Sequence, residues 1–166
     1  YTVMTREYTT PEGILRHAVR KTEGEMHEGW VVQPGHVPLI EDFNIPRAVE
    51  HAVSSPKDIG PLKYLYAPPG TDEKEWFTRR METIQPLAEE IGVPVQAWTG
   101  FGMDAAVWFT GTEKAIMMSL DEPAAFRRMI DIITETDAAR TELAASHPGV
   151  DIVTERGWYS STDFWS

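Results

Sequence analysis

Two short segments combine glycine and aromatic residues in an order that suits ligand binding, and the second also carries charged residues. In residues 98–102 (WTGFG), two glycines allow a tight turn or a close approach of the backbone to a ligand. The backbone N–H groups of a helix that follows such a turn can bind an anion. In residues 155–159 (ERGWY), Arg156 can hold an acidic substrate, and Glu155 can orient that substrate or exchange a proton with it.

Both segments also have a structural interpretation, which the residues alone leave open. A plain strand-to-helix turn can require Gly100 and Gly102 for steric reasons, and Glu155 and Arg156 can form an ordinary surface ion pair. Four tryptophans near the expected strand ends could wall a large flat ligand: Trp98, Trp108, Trp158 and Trp165.

Composition argues against several classes of function. The 166 residues carry 15 Lys and Arg against 26 Asp and Glu, and the net charge of −11 would repel nucleic acid and anionic membranes. The absence of cysteine removes disulfides, thiolate zinc sites and iron–sulfur clusters. The five histidines lack the spacing of metal ligands, so we expect no metal site in this segment. No apolar run approaches the ~18 residues of a membrane span and no signal peptide is visible, so we expect a soluble, cytoplasmic protein.

A β-hairpin and a long helix are the clearest elements of the first half. Residues 1–8 are rich in Thr, Val and Tyr, a turn follows at residues 11–13, and residues 14–20 are again extended, which predicts the hairpin. Apolar residues at spacings of three and four predict a helix over residues 72–91, which Pro86 should kink or split.

The second half has the order strand, helices, strand. Residues 94–99 and 151–154 predict two strands, and residues 103–118 and 121–146 predict helices between them, with a break near Gly111. This order predicts parallel strands joined by a right-handed helical crossover. Ligands collect at the carboxyl ends of such strands, which is where both candidate segments fall.

Three runs in this half carry a family resemblance. Residues 94–113, 120–134 and 151–157 are arranged like a strand with its Gly-rich turn, the next helix, and a strand that ends in acidic residues and glycine. In order and spacing they resemble the uroporphyrinogen decarboxylase superfamily. Residues 10–13 and 53–58 look like the poorly characterised bacterial branch of that superfamily.

The resemblance implies an α/β fold, here a partial (β/α)8 TIM-barrel segment with the β-hairpin at its N-terminus. A whole barrel needs ~250 residues, so we expect the chain to be an internal segment of a longer protein. In this interpretation residues 1–54 form the hairpin and loops, and residues 55–166 form the helix and strand portion of a single segment.

The activity that the resemblance implies is decarboxylation of the acetate side chains of a tetrapyrrole, a step of porphyrin biosynthesis that needs no cofactor. Glu155 and Arg156 would then be catalytic, and Trp108 stands where the decarboxylases carry a tyrosine. The candidate substrate-binding residues are Trp98, Gly100, Phe101, Gly102, Trp108 and Tyr159.

Two alternatives stay open at this point. One is a methyltransferase of the same superfamily, which would use zinc and a corrinoid partner, and the other is a non-catalytic fragment or binding module. The expected partner is an acidic or methylated small molecule, with no nucleic acid and no membrane. The open sheet edges of a partial barrel also allow self-association into a homo-oligomer.

Overall fold

The structure is a computed structural model and describes residues 2–21 and 47–160. Its strands are β1 (Thr2–Thr10), β2 (Gly13–Lys21), β3 (Ala48–Glu50), β4 (Gln96–Gly100) and β5 (Ile152–Glu155). Its helices are α1 (Ile59–Leu62), α2 (Thr71–Ile91), α3 (Gly102–Thr110), α4 (Thr112–Asp121) and α5 (Pro123–Ala145), and a 3-10 turn at Pro56–Asp58 leads into α1. Within these residues, no helix is both long enough and apolar enough to cross a membrane.

The chain divides into two compact units, and each unit is built from two stretches of chain. Unit 1 comprises Tyr1–Leu65 and Ala105–Met129, and unit 2 comprises Tyr66–Asp104 and Ile130–Ser166. The boundaries fall inside α3 and α5, so each of these helices contributes residues to both units.

Unit 1 contains an antiparallel sheet. Strands β1 and β2 pair from Thr2 opposite Lys21 to Thr10 opposite Gly13, so the predicted β-hairpin is confirmed. Strand β3 pairs with the other side of β2. Alternate residues of a strand share a face, and Leu15, His17 and Val19 are accordingly buried together on β2.

Unit 2 contains a parallel sheet. Strands β4 and β5 pair in parallel, with Trp98 opposite Thr154, so the predicted order of strand, helices and strand is confirmed. Met81 and Ala88 of α2 form a buried apolar cluster with Val95, the residue that precedes β4. Asp151 extends the pairing at the start of β5, because its Oδ2 accepts a hydrogen bond from the Val95 N–H at 2.8 Å.

The prediction of a partial TIM barrel is wrong. The described residues form a three-stranded antiparallel sheet, β1-β2-β3, and a separate two-stranded parallel sheet, β4-β5, and they close no barrel. A (β/α)8 barrel needs a continuous ring of parallel strands. In residues 2–21 and 47–160, the hairpin strands β1 and β2 pair in antiparallel register, as do β2 and β3. Strands β4 and β5 form the one parallel pair of this part of the chain.

Glycine and proline have different effects on the helices. Helix α2 runs through Pro86 as one element, so it is not split there. Gly92 ends α2 with φ +76°, and Gly111 separates α3 from α4 with φ +78°, which confirms the predicted break. Both glycines adopt left-handed backbone angles that residues with a Cβ rarely adopt.

Candidate functional site

Arg156 lies at the carboxyl end of the parallel sheet, in contact with two indole rings. Its backbone N–H donates to the Gly100 carbonyl at 3.0 Å, which extends the pairing one residue beyond β5. The carbon at the centre of its guanidinium is 5.0 Å from the ring centroid of Trp98 and 4.2 Å from that of Trp158. Both distances fit cation–π contacts. The strand end therefore carries a positive charge in contact with two aromatic rings.

A buried carboxylate, that of Asp104, holds the turn that carries Trp158. The backbone N–H of Tyr159 donates to Oδ1 of Asp104 at 2.9 Å, and the Asp104 side chain is fully buried. Trp158 itself is 66% exposed and Trp98 is 57% exposed. Two large apolar rings are thus held at the surface beside one cation.

Glu155 does not join this arrangement. Its Oε1 accepts a hydrogen bond from the Thr141 hydroxyl of α5 at 2.9 Å. The Thr141 oxygen also lies 2.8 Å from the hydroxyl of Thr99, and because its one proton goes to Glu155, Thr99 is the donor. Glu155 and Arg156 are adjacent in sequence, but they contact different neighbours.

The Gly-rich turn is already occupied by a carboxylate of the protein. Asp137 of α5 accepts hydrogen bonds at its Oδ2 from the backbone N–H groups of Phe101 at 3.0 Å and Gly102 at 2.8 Å. A Cβ on Gly100 would lie 3.1 Å from the Asp137 Cβ and Cγ. The steric interpretation of these glycines therefore accounts for the turn, and the N–H groups expected to meet a ligand anion meet Asp137 instead.

Asp137 also anchors a buried tyrosine. The Tyr66 hydroxyl donates to Asp137 Oδ1, and burial together with the neighbouring carboxylate raises the pKa of Tyr66 far above its ordinary value. The Thr136 hydroxyl donates to the Tyr66 carbonyl at 3.0 Å, and the guanidinium of Arg140 lies 4.6 Å from the Tyr66 ring centroid. Asp137 therefore links the turn after β4 to Tyr66.

The sequence contained a signal for this cluster. Met129 and Ile133 mark the buried side of α5, and helical spacing continues that side through Thr136, Asp137 and Arg140. Buried polar side chains on an apolar helix face need hydrogen-bond partners, so they point to a specific cluster. The partner Tyr66 lies 71 positions away in sequence and follows no motif.

Trp108 lies apart from the other predicted site residues in the division of the chain into units. It is a core residue of unit 1 with 1% of its surface exposed, whereas the other predicted site residues belong to unit 2. Trp165, the other tryptophan named above, lies outside the described residues.

A cleft in unit 2 has a volume of about 210 Å³. Its lining combines aromatic, apolar and oppositely charged side chains, among them Glu73, Trp76, Phe77, Trp98, Arg140 and Leu143. Trp98 belongs both to this cleft and to the cation–π contact with Arg156. The combination of rings and opposite charges distinguishes the cleft from a purely apolar cavity.

Unit 1 holds a pair of histidines. The ring centroids of His17 and His51 are 6.3 Å apart, and His17 is fully buried. Burial, followed by the effect of His51, lowers the pKa of His17 to about 4. Burial also lowers the pKa of His51. Two neutral imidazoles are therefore enclosed at neutral pH.

In the described part of the chain, no three His, Asp or Glu side chains come together as metal ligands. No family model, curated protein or solved structure matches the chain.

Proposed function

We propose that the carboxyl end of β4 and β5 binds a flat, acidic small molecule. Arg156 would bind a carboxylate of the ligand, and Trp98 and Trp158 would lie against its ring. The observation that carries the proposal is the position of the Arg156 guanidinium, 5.0 Å and 4.2 Å from the centroids of two exposed indoles.

The two indoles favour this role for physical reasons. Each cation–π contact restrains the plane of the guanidinium, and it stabilises the charge by about 0.5–2 kcal/mol. Arg156 is also partly buried, and partial removal of water from a cation strengthens its charge-assisted hydrogen bond to a carboxylate. The exposed indole faces can stack on a flat ring of the ligand.

A tetrapyrrole with acetate side chains is the flat acidic ligand that the family resemblance implies, and its reaction would be decarboxylation. The bond between the carboxylate carbon and the methylene carbon breaks, and CO2 leaves. For the bond to break, the adjacent pyrrole ring first takes a proton from hydronium and then accepts the electron pair of that bond. The methylene carbon next takes a proton from hydronium and the ring loses its own, so one proton replaces each CO2. Arg156 would anchor the ligand during this step.

A binding module is the second candidate. It is favoured by the placement of Glu155, whose carboxylate accepts a hydrogen bond from Thr141 and does not face the indoles. The backbone N–H groups of Phe101 and Gly102 are likewise engaged by Asp137. Glu155 would then not serve as a proton donor to a ligand at Arg156. The backbone N–H groups of the Gly-rich turn would likewise not serve as its anion site.

A calorimetric titration with uroporphyrin tests the binding proposal. Loss of a charge-assisted hydrogen bond costs about 1.5–3 kcal/mol, so R156Q should bind uroporphyrin about 10- to 100-fold more weakly than the wild type. R127Q is the matched control, because Arg127 is an exposed arginine of unit 1. Equal affinity of R156Q and R127Q, or no binding by the wild type, would overturn the proposal.

The reaction is tested separately with reduced uroporphyrinogen, by mass spectrometry of the product. Loss of about 44 Da per acetate, the mass of CO2, marks decarboxylation, and R156Q should slow this loss about 10- to 100-fold at substrate concentrations below saturation. Binding of uroporphyrin without loss of CO2 would overturn decarboxylation and support the binding module.

A further inference from the structure

We propose that the 210 Å³ cleft of unit 2 binds an aromatic amino acid in its zwitterionic form, with Arg140 holding the carboxylate and Glu73 holding the ammonium group. This site goes beyond the function proposed above. It uses different charged residues and takes a different ligand.

The volume of the cleft sets the size of the ligand. A cavity of roughly 150 Å³ holds benzene, whereas sites for drug-sized molecules start at about 300 Å³. A volume of about 210 Å³ lies between these limits. The cleft therefore fits one aromatic ring with a few further atoms and is too small for a tetrapyrrole.

The walls of the cleft favour an aromatic ring. Trp76 and Phe77 of α2 and Trp98 of β4 line it, so a ring inside can contact aromatic faces or edges. Trp76 is 61% exposed, and a large indole at the surface of a helix gains contact area when a ligand covers it. The same rings favour a cationic nitrogen, because their faces carry negative charge density.

The charges of the cleft favour a zwitterion. Glu73 is held in place because its Oε2 accepts a hydrogen bond from the Gly70 N–H at 2.8 Å. A carboxylate has lone pairs on both oxygens, so Oε1 can also accept from an ammonium group. Arg140 is held by its contact with the Tyr66 ring, at 4.6 Å from the ring centroid. The guanidinium also donates a hydrogen bond to the Tyr66 hydroxyl. A guanidinium carries five N–H donors, so those that do not meet Tyr66 can bind a carboxylate.

Both charges line one small volume but come from different elements, Glu73 from α2 and Arg140 from α5. A ligand with only one charge would satisfy one of them and leave the other without its ligand partner. An α-amino acid carries both charges on one carbon, and its side chain then extends to the rings.

Three ligands that differ by one charged group test this assignment. Phenylalanine carries both groups, 3-phenylpropionate lacks the ammonium group, and phenethylamine lacks the carboxylate. Binding is measured by NMR titration of the intact chain. We expect phenylalanine to bind with a Kd of about 1 mM or tighter, and each truncated ligand to bind about tenfold more weakly.

Two variants test which residue binds the ammonium group of the ligand and which binds its carboxylate. E73Q should weaken phenylalanine about tenfold and leave 3-phenylpropionate unchanged, and R140Q should weaken phenylalanine and leave phenethylamine unchanged. Because Arg140 also contacts Tyr66, the fold of R140Q is checked by circular dichroism. E73Q keeps an acceptor for the Gly70 N–H, so it tests the proposal even if R140Q fails to fold.

The proposal is overturned if phenylalanine does not bind at 10 mM, roughly ten times the expected Kd. It is also overturned if E73Q binds phenylalanine as the wild type does, or if leucine binds as well as phenylalanine. R156Q distinguishes this site from the one proposed above, since it should lose uroporphyrin and keep phenylalanine.

Discussion

The carboxylate of Asp137 accepts a hydrogen bond from the backbone N–H of Gly102 at 2.8 Å, at the first residue of α3. The N-terminus of a helix attracts negative charge, because its first N–H groups point outward without partners in the helix. In this protein the attracted charge is supplied by α5. The Gly-rich turn is therefore a structural joint between β4 and α5.

Replacement of Asp137 by alanine should reduce the free energy of unfolding by about 2–4 kcal/mol. The substitution leaves the Tyr66 hydroxyl and the backbone N–H groups of Phe101 and Gly102 without their acceptor, and unsatisfied buried groups cost about 1–3 kcal/mol each. Urea denaturation measures the difference. D131A is the control, because Asp131 is exposed on the same helix and should change stability by no more than about 0.5 kcal/mol. Equal stabilities of D137A and D131A would contradict the role of Asp137.

Replacement of Gly100 by alanine should destabilise the chain by about 1–3 kcal/mol. The new Cβ would lie 3.1 Å from two carbon atoms of Asp137, and crowding in a well-packed region forces the neighbours to shift. G157A is the matched control, since a Cβ there would meet only Ser160, at an ordinary contact distance of 3.4 Å. Thermal unfolding of the two variants should differ, and a Tm for G100A equal to that of G157A would contradict the close packing.

The stability of the chain should fall as the pH falls from about 6.5 to about 4. The pKa of His17 is about 4 in the folded chain, against 6.5 as its ordinary value, so the unfolded chain binds a proton that the folded chain excludes. The contribution is fully present above pH 6.5 and is lost as the pH falls to about 4. The size of the loss is about 3 kcal/mol.

The variant H17L tests this pH dependence, because leucine cannot titrate. Urea denaturation of wild type and H17L is compared at several values between pH 4 and pH 7. The stability of the wild type relative to H17L should decrease toward acid pH. A difference that stays constant over this range would show that His17 takes up its proton equally in both states.

The local elements could be predicted from the sequence, because their signals are local. The turn at residues 11–13 lies between two extended runs, and Gly111 ends one helix before the next begins. The absence of a closed barrel could not be predicted in this way. Strand pairing depends on contacts between distant residues, and the resemblance suggested a ring of strands that the described chain does not form.

The candidate site was predictable only in part. Arg156, Trp98 and Trp158 follow from the rule that ligands bind at strand ends, and the structure brings these residues together. The partner of the Gly-rich turn was missed, because Asp137 is 35 positions from Gly102 and its direction depends on how α5 packs. Arg140 and Glu73 were missed for the same reason, since only the packing of α2, β4 and α5 encloses a cleft.

The most direct test of the proposed function is the response of the tryptophan side chains to uroporphyrin. The indole N–H signals are recorded by two-dimensional ¹H–¹⁵N NMR and assigned by single substitution of each tryptophan with phenylalanine. A porphyrin ring that stacks at Arg156 should shift the signals of Trp98 and Trp158, both of which lie beside its guanidinium. The signal of the buried Trp108 should stay in place. Unchanged signals for Trp98 and Trp158, with or without changes elsewhere, would contradict the proposed site.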